Sequence, residues 1–93
     1  MDWKPYDPAR LVALAREQYP DRPWLADALA ACTRAAWQTR AYVHFIDPAD
    51  ANQPGSLWRF EENVALDDPK EGMIVLDILR GRRVGGAEFI KYA

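Results

Sequence analysis

The sequence predicts an α+β fold in which two N-terminal helices pack on one face of a four-stranded antiparallel sheet, in the order ααββββ. Three observations carry that prediction. Apolar residues recur every three to four positions up to about residue 37 and alternate at a period of two thereafter. Clusters of Pro, Gly and Asp divide the second half into separate apolar runs. A chain of 93 residues has room for one core only, so residues 1–93 form a single domain.

Asp7-Pro8 starts the first helix, with Asp7 at the N-cap and Pro8 at the first helical position. Leu11, Val12, Ala15 and Tyr19 follow at helical spacing, and Pro20 stops the run. Asp21-Arg22-Pro23 starts a second helix. Its stripe is Trp24, Leu25, Ala28, Leu29, Cys32, Ala35 and Ala36, and its Ala content favours helix through about Trp37.

The first strand runs from Thr39 to Ile46, with Ala41, Val43 and Phe45 on one face and Tyr42, His44 and Ile46 on the other. Residues 47–56 read as a loop. Leu57 to Leu66 alternates again, with Trp58, Phe60, Val64 and Leu66 on one face. Glu62 breaks that face and points to a bulge. After a turn at 67–72, Met73 to Leu79 is apolar on both faces except at Asp77, the pattern of a central strand. Gly81 marks a tight hairpin within Arg80 to Arg83. Val84 to Tyr92 is the last strand, where Gly85-Gly86 suits a bulge or a close backbone contact, and the four strands are expected to form a meander.

Composition narrows the function classes. Apolar residues at 49% are ordinary for a globular chain. A single cysteine, Cys32, excludes an intramolecular disulfide. The N-terminus carries no basic-then-apolar leader and no apolar run reaches the ~20 residues of a membrane span, so a cytoplasmic, non-membrane protein is expected. Charge is unevenly spread: residues 1–46 carry net +1, residues 47–77 net −6 and residues 78–93 net +3.

Catalytic chemistry finds little material. One His and one Cys cannot build a multi-ligand zinc site. Asp67, Asp68 and Glu71 lack the order of a calcium loop, so neither a metal nor any other cofactor is expected. Cys32 with His44 could be drawn as nucleophile and base. Cys32 lies on an apolar stripe, however, where a free thiol behaves as a small hydrophobe. Gly81 to Gly86 matches no phosphate-binding fingerprint. Arg80, Arg82 and Arg83, extended by Arg40 and Arg59, could face nucleic acid, but the acidic excess just upstream opposes phosphate.

Trp58-Arg59-Phe60-Glu61-Glu62-Asn63-Val64, Gly72 to Leu79, and Arg83 to Ile90 are similar to segments of small bacterial proteins, some of which resemble immunity proteins that accompany toxins delivered between competing cells. The similarity spans about residues 54–90. It implies a non-catalytic antitoxin that binds one toxin domain and blocks its active site, and it carries over no site residues.

The residues themselves leave three readings. The first is a protein-binding domain, an inhibitor of a basic toxin such as a nuclease, with Glu61, Glu62, Asp67, Asp68 and Glu71 as the docking face and Trp58 as its anchor. The second is a structural subunit that forms a homo-oligomer through an open edge or through Val84–Tyr92 pairing with its copy. The third is a small enzyme using Cys32, His44 or Asp77, which requires those side chains to converge.

Overall fold

The computed structural model describes all 93 residues. Helices α1 (Ala9–Gln18) and α2 (Pro23–Ala30) lie against a sheet of six strands: β1 (Lys4–Pro5), β2 (Arg34–Trp37), β3 (Tyr42–His44), β4 (Phe60–Asp68), β5 (Gly72–Leu79) and β6 (Arg83–Phe89). A 3-10 turn, Ile90–Tyr92, ends the chain's regular structure. Every pairing is antiparallel and the strand order is β1-β2-β3-β6-β5-β4.

The four-stranded sheet expected from the sequence is therefore corrected to six strands. The second helix stops at Ala30, seven residues before Trp37, and Arg34–Trp37 pairs with β3 on one side and β1 on the other. Ala35 and Ala36 fit either period. In a helix they would extend the apolar stripe. In the strand Ala35 joins the helix-side core, while Ala36 pairs with His44 on the opposite face. Ala's preference for helix is worth only tenths of a kcal/mol per residue, and the backbone hydrogen bonds to two neighbouring strands outweigh it.

The meander is also corrected. β4, β5 and β6 follow one another as hairpins, but β6 inserts beside β3, so the 45–59 segment must carry the chain across the sheet to its far edge. β6 is thus flanked on both sides. Its pairing with a second copy, one of the two expected routes to a homo-oligomer, has no free edge to use.

The core is one continuous cluster between helices and sheet. Leu11, Leu14 and Ala15 from α1 and Leu25 and Leu29 from α2 meet Val43, Leu66, Ile74, Leu76, Ile78, Val84 and Ala87 from the strands. The first bulge falls at Glu61, one residue before the expected Glu62, and the second at Gly85, within the expected glycine pair, between the pairs Asp77–Gly86 and Ile78–Val84. No helix is long and apolar enough to cross a membrane.

At the β4 edge, the Gln18 side chain acts as a strand residue. Its amide nitrogen Nε2 donates to Asp67 O at 2.6 Å and its Oε1 accepts from Asp67 N–H at 2.8 Å. The Tyr19 hydroxyl donates to Ala65 O at 2.6 Å. Two side chains from the end of α1 thereby occupy the edge groups that would otherwise invite another strand.

Candidate functional site

Antiparallel register divides the side chains of the sheet between two faces. The helices cover the face that carries Val43, Leu66, Leu76 and Ala87. Opposite it lie Tyr42 and His44 on β3, Gly86 and Glu88 on β6, Asp77, Val75 and Met73 on β5, and Asn63, Ala65 and Asp67 on β4.

One end of this second face is closed by the 45–59 segment. That loop is held by its own polar side chains: Asn52 Oδ1 accepts from Phe60 N–H at 3.0 Å, and Ser56 Oγ donates to Ala49 O at 2.7 Å. It lays Trp58 over Leu79, Gly85, Gly86 and His44, and Trp58 is only 7% exposed. The glycine pair makes this possible. A Cβ at Gly85 would lie 2.7 Å from both the Trp58 ring and the Leu79 side chain, and one at Gly86 would lie 2.7 Å from Val43 O.

Beside Trp58 sit two polar networks. His44, 5% exposed, has its ring edge-on to Tyr42 and Trp58, with Nε2 at 2.8 Å from Gln38 Oε1. Nε2 therefore carries the proton and Nδ1, buried without a partner, is an unfilled acceptor. A protonated ring would bury an orphan donor instead. Burial accordingly holds the His44 pKa below its usual value, against the opposing pull of Asp77 and Asp47. The Tyr42 hydroxyl donates to Asp77 Oδ2, and burial followed by that carboxylate pushes the phenol well up. Asn63 Nδ2 donates to the other Asp77 oxygen at 2.8 Å. At neutral pH the Tyr42 phenol stays protonated and the His44 ring uncharged.

The remainder of the face is uncovered. Its strand residues on β4, β5 and β6 include three carboxylates, Asp67, Asp77 and Glu88, with exposed Met73 and half-buried Val75 between them, while Arg83 lies at the loop end opposite Leu79. Between this area and the loop, a cleft of about 730 Å³ is lined by Tyr42, His44, Trp58, Glu88, Gln38 and Tyr92.

The residues expected to form a docking face separate into three groups. Glu61, Glu62 and Asp67 are exposed along β4, where Glu62 pairs with Arg22 at 3.4 Å. Glu71 is half-buried and accepts from the Tyr92 hydroxyl at 2.9 Å. Asp68 and Trp58 are buried, which removes both from the expected surface. Asp68 points to the helix side, where Arg10 grips it through Nη2 at 2.9 Å and Nε at 3.2 Å. Trp58 anchors its own loop and not a partner, because the bulge at Glu61 reverses the alternation that set it beside Val64.

Cys32 and His44 do not converge. Cys32 lies in the helix-side core, its thiol pKa pushed up to about 12 by burial, and the sheet separates it from His44. Asp67 and Asp68 face opposite sides and share no ligand geometry. Of the hairpin arginines, Arg82 stacks on Trp24 at 5.1 Å and Arg83 donates to Leu57 O at 3.2 Å.

Glu88 is a member of the open face that charge along the chain does not reveal. Glu88 was counted with the basic C-terminal stretch, and only the register across the Gly85 bulge sets it one strand from Val75 and one from Tyr42. The Asp77 interruption of an otherwise apolar strand was the one signal of this face in the sequence. No family model matches the chain, and neither a curated protein nor a solved structure shows significant similarity to it.

Proposed function

We propose that the chain is a non-catalytic protein-binding domain that docks a basic partner on the open face of β4, β5 and β6. The observation that carries this reading is the asymmetry of the sheet. Helices cover one face, whereas the other presents Asp67, Asp77 and Glu88 on β4, β5 and β6, and its one cation on those strands, Arg83 opposite Leu79, lies at the loop end and donates to Leu57 O. Glu61, exposed at the bulge, extends the same sign along β4, whereas Glu62 registers with Ile78 on the helix side and pairs with Arg22. Such a field speeds encounter with a positively charged surface, and exposed Met73 with half-buried Val75 offers apolar contact once docked.

An inhibitor of a basic toxin is the specific form of this proposal. It draws on the resemblance to immunity proteins and on the charge that a nuclease cleft presents to phosphate. The acidic face then takes the place of the nucleic-acid backbone.

Co-expression tests the proposal directly. A candidate basic toxin domain encoded beside this chain is expected to lose its toxicity when the wild-type chain is present. The Glu61→Lys/Asp67→Lys variant, changed at two exposed positions, is expected to bind at least about tenfold more weakly at low salt. Equal affinity for the wild type and this variant contradicts docking through the face.

A further inference from the structure

We infer that the cleft beside Glu88 receives one arginine side chain of the docked protein. The inference deepens the docking proposal and rests on it. Four features of the cleft fit a guanidinium group together. Glu88 sits between Tyr42 and Val75 on the neighbouring strands, half-buried, and its carboxylate forms neither a hydrogen bond nor an ion pair within the chain. A carboxylate so placed is an unfilled acceptor for a planar donor.

The walls are aromatic. Tyr42, Trp58 and Tyr92 line the cleft, and such rings attract a stacked cation. Tyr92 already shows that behaviour, with Arg40 at 5.6 Å and Lys91 Nζ at 5.5 Å from its ring centroid. Neither cation forms an ion pair with Glu88.

The floor carries no competing charge. His44, which lines the cleft, is neutral, its Nε2–H held by Gln38 and its Nδ1 buried. Behind Tyr42, Asp77 fixes the phenol and adds negative potential without needing a ligand of its own. Arginine suits this arrangement better than lysine, because it can stack on a ring and fork onto a carboxylate at once. An anionic ligand meets Glu88 and is repelled.

The test uses the intact chain and three probes: the peptide acetyl-Gly-Arg-Gly-amide, its citrulline counterpart and methylguanidinium. Binding is read from the NMR resonances of the Trp58 indole and the His44 ring. The arginine peptide is expected to shift both saturably, with a Kd on the order of 1 mM. Citrulline, which keeps the shape without the charge, is expected to bind about tenfold more weakly, and Glu88→Gln should weaken the arginine peptide about tenfold. No saturable shift up to ~20 mM, or equal binding of the citrulline peptide, overturns the inference. Methylguanidinium binding as tightly as the peptide overturns the assignment to a partner side chain in favour of a small ligand. A protein partner whose affinity survives Glu88→Gln also overturns it, while leaving the docking face intact. If instead no partner uses the open face, the docking proposal fails and the peptide titration still decides the cleft.

Discussion

Asp68 keeps its charge inside the fold because Arg10 forks onto both of its oxygens and Lys70 N–H donates to one of them at 2.9 Å. Those bonds hold its pKa down at about 2, below the ordinary carboxylate value. A depressed carboxyl pKa stabilises the folded state above the unfolded value and loses that contribution as pH falls through the folded one. Stability is therefore expected to drop as pH goes from about 4 to about 2. Asp68→Asn should lower stability at pH 7 and flatten this acid limb. Urea unfolding across that range checks it, and a limb of unchanged slope contradicts the assignment. Trp58 is the second residue whose role burial redefines. Trp58→Ala is expected to cost about 3–5 kcal/mol of stability, as for other buried aromatics, and Gly86→Ala about 1–3 kcal/mol by pushing on Val43 O. Thermal unfolding of both variants measures this, and a Trp58→Ala protein of wild-type stability would return the ring to the surface. At this scale the sequence was misleading for a definite reason. Adjacent acids such as Asp67 and Asp68 point to opposite faces once they lie in a strand, and residues 67–72 read as a turn.

The elements whose signals are local were legible in the sequence. α1 and the start of α2 carry their own proline and apolar spacing, although no side chain caps α2, the Gly81 hairpin carries its turn residues, and both bulges carry a pattern break. Asp7 Oδ1 accepts from Ala9 N–H at 3.0 Å, so the expected capping chemistry is present although the helix itself begins one residue later. β1 and β2 were not legible. Two residues of β1 have no periodicity, and β2 is Ala-rich, so partners distant in sequence decide the conformation of both. The β4 edge was not legible either, because Gln18 reads as a solvent-facing helix residue until the sheet is in place beside it. Its two bonds to Asp67 give a testable element-level consequence. Gln18→Ala with Tyr19→Phe is expected to open the edge at residues 65 and 67 and to produce concentration-dependent self-association. Sedimentation velocity at micromolar concentrations checks this, and a variant that sediments identically to the wild type at every concentration contradicts it.

Across the whole molecule, the division of labour follows from the register. The helix-side face buries the apolar strand residues. The opposite face uses Trp58, Leu79 and the glycine pair to close one end, leaving carboxylates and aromatics at the other. The acidic excess of residues 47–77 was visible in the sequence, but its spatial meaning depended on which carboxylates share a surface. Glu88 joins that surface from a stretch of positive net charge, and Asp68 leaves it. Carboxyl footprinting of the chain, alone and bound to its partner, tests the docking face most directly. Carbodiimide labelling of Asp67 and Glu88 is expected to fall on binding, while Asp21 and Asp27 beside and on α2 label equally in both states. Protection of Asp21 and Asp27, with Asp67 and Glu88 still fully labelled, would place the partner on the helices and contradict the account.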